Sequence, residues 1–131
     1  MRKKKIIKIL FVTLLCVNFV GNIKAQTTIY LNFVERYIMK KDKLEKVSES
    51  FENSSFVINA NRTMITHITH SEKSTYNVYE TTYDKNWDII SFFAKNDVGN
   101  LYIFLIQENS LLKVLYFDES NVLCMLLYRK K

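Results

Sequence analysis

The stretch LYIFLIQENSLLKVLYFDESNVLCMLLY, from Leu101 to Tyr128, decides the fold. It holds three apolar runs, Leu101 to Gln107, Leu111 to Phe117 and Val122 to Tyr128. They are parted by Glu108-Asn109-Ser110 and Asp118-Glu119-Ser120-Asn121. Each run is short for a helix and rich in residues that suit a pleated backbone, while the separators are turn formers. The same rhythm continues toward the amino terminus. Trp87 to Ala94 is closed by Lys95 to Asn100, where Gly99 supplies the positive φ of a tight reversal. Thr75 to Tyr83 is closed by Asp84-Lys85-Asn86, Thr63 to His70 by Ser71 to Ser74, and Phe56 to Ala60 by Asn61-Arg62. Seven such runs without a helical period between them predict an antiparallel meander.

A sheet with one wet face alternates apolar and polar residues. The run Thr75 to Tyr83 does so loosely, with Tyr76, Val78, Glu80 and Thr82 opposing Asn77, Tyr79, Thr81 and Tyr83. The later runs do not alternate. Tyr102, Phe104 and Ile106 oppose Leu101, Ile103 and Leu105, and Val122, Cys124, Leu126 and Tyr128 oppose Leu123, Met125 and Leu127. Leaving either face wet forfeits about 1.5–3 kcal/mol for each large side chain. The second face therefore calls for a cover: an amino-terminal helix, a second sheet of the same chain, another copy, or an apolar ligand. The expected fold is all-β, a curved antiparallel meander of seven to eight strands forming a small barrel or a two-layer sheet. The alternative is α+β with an amino-terminal helix on the sheet. Residues 26–53 admit either reading. Ile29, Tyr30, Phe33, Val34, Tyr37 and Ile38 have helical spacing but strand residue types, and Leu44, Val47 and Phe51 fit a weakly amphipathic helix. Residues 54–131 form the β domain.

Residues 1–25 read as a cleaved signal peptide: Arg2-Lys3-Lys4-Lys5, an apolar stretch from Ile6 to Val20, and Ala25 ahead of Gln26. That stretch is shorter than the ~20 residues of a bilayer-spanning helix, so no transmembrane span is expected after cleavage. The ending Ile23-Lys24-Ala25-Gln26 resembles export signals of Bacteroidetes-type bacteria, which implies a bacterial protein that is secreted or periplasmic. Six of the 19 basic residues and none of the 13 acidic ones precede Gln26, so the mature chain balances 13 charges against 13. Without excess positive charge, nucleic acid is not an expected partner. Cys16 falls in the leader, and Cys124 remains as the one mature thiol, leaving stability to the core.

No motif calls for a cofactor or a metal. His67 and His70 are three apart, which places them on opposite faces of a strand. Asp84-Lys85-Asn86-Trp87-Asp88 opens like a calcium loop, but Ile89 and Lys95 stand where Gly and Glu are needed, so it reads as a hairpin turn. Cys124 sits between Leu123 and Met125 and reads as a buried, inert thiol. Tyr presents flat apolar area with a polar tip, so Tyr76, Tyr79 and Tyr83, together with Trp87, are the candidate ligand-binding residues. The reading that follows is a small exported, non-catalytic binding or interaction protein that associates with itself through an apolar β face or takes an apolar or carbohydrate ligand. The alternative is a secreted hydrolase or inhibitor-type protein whose site forms only in space, with His67 and Asp88 as its candidates.

Overall fold

The computed structural model describes residues 26–107 and 110–131; the leader at 1–25 lies outside them. Eight antiparallel strands form one closed ring: β1 (Thr27–Lys40), β2 (Lys43–Ile58), β3 (Met64–Ile68), β4 (Lys73–Asp84), β5 (Ile89–Lys95), β6 (Leu101–Gln107), β7 (Leu111–Phe117) and β8 (Leu123–Arg129). The barrel belongs to one compact unit, Thr28–Ile58 with Arg62–Lys131. Its seam pairs β1 with β8 antiparallel, from Phe33 opposite Arg129 to Ile38 opposite Cys124. Closure leaves no strand edge to template aggregation.

Registers carry the inward side chains round the wall in rows. Ile90, Ile106, Leu112, Tyr128 and Val34 are successive partners, as are Phe92, Phe104, Val114, Leu126 and Arg36. Phe56, Phe92, Phe104, Ile65, Leu112 and Val34 are the largest fully buried side chains and fill the middle of the bore. The opposite wall thus covers the inner apolar face. The outer face keeps its own apolar row, Phe93, Ile103, Leu115, Met125 and Tyr37, again successive partners across five strands. These residues are half-buried, and among the described residues no second layer stacks on them.

The helical alternative for the amino-terminal segment is corrected: Thr27–Lys40 and Lys43–Ile58 are strands, and β2 runs through positions 53 and 54 without a break. In β1 the core takes Ile29 and Leu31, then Val34, so the inward set changes parity once. Phe33 is 2 % exposed but lies outside that cluster. The parity change stretches a two-residue period into spacings that imitate a helical face. β4 contains a similar irregularity. Its register shifts between Val78, opposite Ala94, and Glu80, opposite Phe93, so Thr81 rather than Glu80 follows Val78 on the inner side. The simple alternation read from Thr75 to Tyr83 therefore fails at its midpoint, because a bulge adds one residue to one strand.

Two turns at one end of the barrel share a hydrogen-bond scheme. Asn96 N–H donates to the carbonyl of Asn100 (3.1 Å), and Gly99 N–H to that of Asn96 (3.1 Å). The side-chain oxygen of Asn96 accepts from the N–H groups of Val98 and Asn100. Asp118 repeats the scheme with Val122, Asn121 and Ser120. Gly99 at φ +89° and Asn121 at φ +63° occupy the matching left-handed position. A Cβ at Gly99 meets nothing within 4 Å, so the demand there is torsional.

Candidate functional site

The four residues singled out from sequence do not converge. Tyr76 points inward and packs against the core. Tyr79 is 56 % exposed at the bulge, with the Lys95 ammonium 5.4 Å from its ring centre. Tyr83 donates its hydroxyl to Asp88 Oδ1 at 2.8 Å, beside the exposed Trp87 in the β4–β5 turn. That turn is the hairpin expected of Asp84 to Asp88: Asn86 N–H donates to Asp84 Oδ1, and Asp88 takes φ +53°. Among the described residues, no group of three or more His, Cys, Asp or Glu gathers around a point that could hold a metal ion. Nor is any helix long and apolar enough to cross a membrane.

Other tyrosines do converge. Tyr102 and Tyr116 are register partners on β6 and β7, and their rings stack at 5.7 Å with an interplanar angle of 23°. The Tyr76 ring meets that of Tyr102 edge-on at 4.9 Å. Tyr128, 3 % exposed, crosses the bore below them with its ring against Phe56 (4.9 Å) and His67 (5.4 Å). Two charged side chains share this end of the bore. Arg36 is placed inward by its pairing with Leu126, and its Nη1 donates to Ser50 Oγ at 3.3 Å. Glu52 lies two residues before the buried, inward Ser54. Both charges act on the phenol of Tyr128, whose ionisation is pushed up first by burial and then by Glu52, against the opposing pull of Arg36. Burial likewise raises Tyr76 and Tyr116, so these phenols remain protonated donors at neutral pH.

His67 lies inside the bore on β3, whereas His70 is exposed in the β3–β4 turn, beyond the strand's end at Ile68, so the pair does not share one strand as expected from its spacing. The His67 ring stacks flat on Phe56 (4.2 Å, 7°), with Nε2 3.0 Å from Ser54 Oγ. A hydroxyl beside an imidazole is the start of a nucleophile–base pair. Here Ser54 is 3 % exposed, and burial pushes His67 down to about 4. A sealed hydroxyl and a weak base make a core contact rather than a hydrolytic centre. The Cys124 thiol is raised by burial and by the nearby Asp118 carboxylate, so it stays protonated.

At the rim beside the stacked pair, Tyr102 and Tyr116 line a groove of about 630 Å³ together with Leu101, Phe117, Asn100, Asn121 and Glu119. A second groove of about 730 Å³ lies near Tyr30, Asn32, His70 and Lys131. The Asn32 side chain is already committed there, donating to the Lys131 carbonyl (3.1 Å) and accepting from its N–H (2.8 Å).

On the outside of the seam, Glu35 is 6 % exposed. Its carboxylate accepts from Arg129 Nη2 (3.0 Å) and from the Tyr37 hydroxyl (3.0 Å), with Lys46 Nζ at 3.7 Å. Burial pushes Glu35 upward, but the Tyr37 and Arg129 hydrogen bonds and the two cations outweigh it, leaving it below its ordinary value. Phe33 beside it is capped by Phe51 edge-on at 4.9 Å and by the Lys131 ammonium 4.3 Å from its ring centre.

Comparison with protein-family models, curated proteins and solved structures gave no match, so the functional reading rests on this geometry.

Proposed function

We propose that the mature chain is a small exported, non-catalytic binding protein that works through the outer wall of β5–β8 and β1, with a second copy of the chain as its first partner. The observation that carries this reading is the unbroken outer row Phe93, Ile103, Leu115, Met125 and Tyr37. With strands about 4.8 Å apart and about 3.3 Å per residue, five strands of seven residues cover roughly 500 Å². That footprint counts polar and apolar positions together, and the apolar row runs through its middle, the arrangement of an interface core with a polar rim. Two copies joined face to face would bury about 1,000 Å² in total, the lower bound of a specific interface. Lipid is a poorer fit for the wall. A membrane barrel carries an apolar band round its whole circumference over strands of about 9–11 residues, with polar groups inside. Here the middle of the bore is filled by an apolar core, Lys113 and Glu35 interrupt the neighbouring outer row, and the outer side of β4 carries Asn77 and Glu80. Export is supported by the leader pattern at residues 1–25. The hydrolytic alternative has weaker support, since His67 is stacked inside the bore and Asp88 is engaged by Tyr83 in a surface turn.

The test is native mass spectrometry and light scattering on the exported form, with Leu115→Lys as the variant. A dimer that becomes a single chain in the variant, with unchanged far-ultraviolet circular dichroism, supports the reading. A wild-type mass of one chain throughout, with no binding of an apolar dye, overturns it.

A further inference from the structure

The rim groove at the end of β6 and β7 has a different chemistry from the outer wall and requires a different occupant. It is lined by two near-parallel phenol rings, Tyr102 stacked on Tyr116 at 5.7 Å. Its edges are the carboxamides of Asn100 and Asn121 and the carboxylate of Glu119, all exposed, with the half-buried Asp118 carboxylate beside them. The twin turns fix these edges. The backbone N–H of Asn100 is held by the Asn96 side chain, and Asn121 N–H by the Asp118 carbonyl, while the side chains of Asn100 and Asn121 stay at the groove. Two carboxylates, Asp118 and Glu119, line the groove and make its mouth acidic. Asp118 accepts from the N–H groups of Ser120 and Val122 and so holds the turn, which leaves Glu119 to meet a ligand's hydroxyls. Deeper still, Phe104 and Val114 are register partners packed into the buried core.

A ligand that suits this set has an apolar flat face for the aromatic lining and several neutral groups that both donate and accept around its edge. We propose that the groove between the twin turns, lined by Tyr102 and Tyr116, binds a neutral sugar ring of a saccharide. The ring's C–H face lies on the phenols, and its hydroxyls meet Asn100, Asn121 and Glu119. A volume of about 630 Å³ is within the 300–1,000 Å³ typical of small-ligand sites, room for a short oligosaccharide rather than a single ring alone. An anionic ligand is opposed by Glu119 and Asp118 at the rim, and an alkyl chain by the polar edge.

The experiment is two-dimensional amide NMR of the mature chain titrated separately with cellotriose, maltotriose and chitotriose, with sodium octanoate as comparator. The probe range is about 0.1 to 10 mM, which brackets a dissociation constant of 1 mM. The expected result is saturable movement of the signals of residues 96–102 and 116–122 with at least one saccharide. Tyr116→Leu should weaken that binding by about tenfold or more, a loss of one decade in affinity. Where Tyr116→Leu does not fold, Asn100→Ala combined with Glu119→Ala, both on the exposed rim, provides the same readout. No movement with any of the three saccharides overturns the proposal. So does movement confined to another part of the barrel, or tighter binding of octanoate at the same signals. Leu115→Lys, which disrupts the outer wall, is expected to leave the saccharide shifts intact, so the two readings fail separately.

Discussion

Replacing His67 with phenylalanine should make the protein less stable at pH 7.5 and more stable at pH 4. His67 is held neutral by burial against Phe56 and Tyr128, which lowers its ionisation to about 4 from an ordinary 6.5. A histidine whose folded value is depressed charges more readily in the unfolded chain. Its neutral form therefore supports the fold fully above about pH 6.5, and that support is lost as pH falls toward 4. The two-state expression with those values gives a loss of about 2 kcal/mol at pH 5 and about 3 kcal/mol at pH 4. The benzyl ring of the variant keeps the stack and does not titrate, but it leaves the buried Ser54 hydroxyl without its 3.0 Å partner, at a pH-independent cost of about 1–3 kcal/mol. The two terms cross between about pH 6 and pH 4. The acid sensitivity of Glu35 is common to both proteins and cancels in the difference. Urea unfolding at pH 7.5, 6, 5 and 4 measures this directly. With a slope of about 1 kcal/mol/M, the wild-type midpoint should fall by about 2 M more than that of His67→Phe between pH 7.5 and 5. Parallel midpoints for the two proteins over that interval would refute the buried, neutral assignment of His67.

The seam makes its own prediction: in a cycle of Glu35→Gln, Arg129→Met and the double variant, the coupling should be about 1.5–3 kcal/mol at pH 7, the worth of a hydrogen bond to a charged group. Because Glu35 is held below its ordinary value, that coupling is present above about pH 4.5 and should fade as pH drops through the folded value; urea midpoints at pH 7 and 2.5 measure both ends. For the twin turns, Gly99→Ala should cost about 1–2 kcal/mol because a Cβ disfavours φ +89°, whereas Asn121→Gly at φ +63° should be neutral or slightly stabilising; thermal melts distinguish the two signs.

The meander was legible because β5 to β8 carry strong local signals. Leu101–Gln107 and Leu111–Phe117 are bounded by polar turn residues at the positions where the strands begin and end. The turns at 96–100 and 118–122 were visible for the same reason, since Asn, Asp and Gly satisfy or relax the backbone within a few residues. β2 was illegible. From Lys43 to Ser50 it is wet on both sides apart from a half-buried Leu44, so it has no apolar period, and its two-residue turn uses Lys41 and Asp42 at φ +50° and +69° rather than an Asn-Gly pair. The candidate site was half legible. Tyr76 was named for being a tyrosine among tyrosines, but its neighbours Tyr102, Tyr116 and Tyr128 looked like ordinary strand residues. A search for aromatic residues of equal parity on consecutive strands would have brought them together.

What the chain determined alone was local: which segments extend, where they reverse, and that two opposing surfaces of the later strands are apolar. Those properties come from side-chain shape and from backbone bonds within a few positions. What the tertiary structure decided was that β1 reaches β8 and closes the ring, and that a bulge in β4 passes the inner side from Val78 to Thr81. It also decided that Arg36 and Glu52, 16 positions apart in sequence, act on the same phenol. Closure and register depend on contacts between residues as distant as Glu35 and Arg129, whose 94-residue separation carries no local trace.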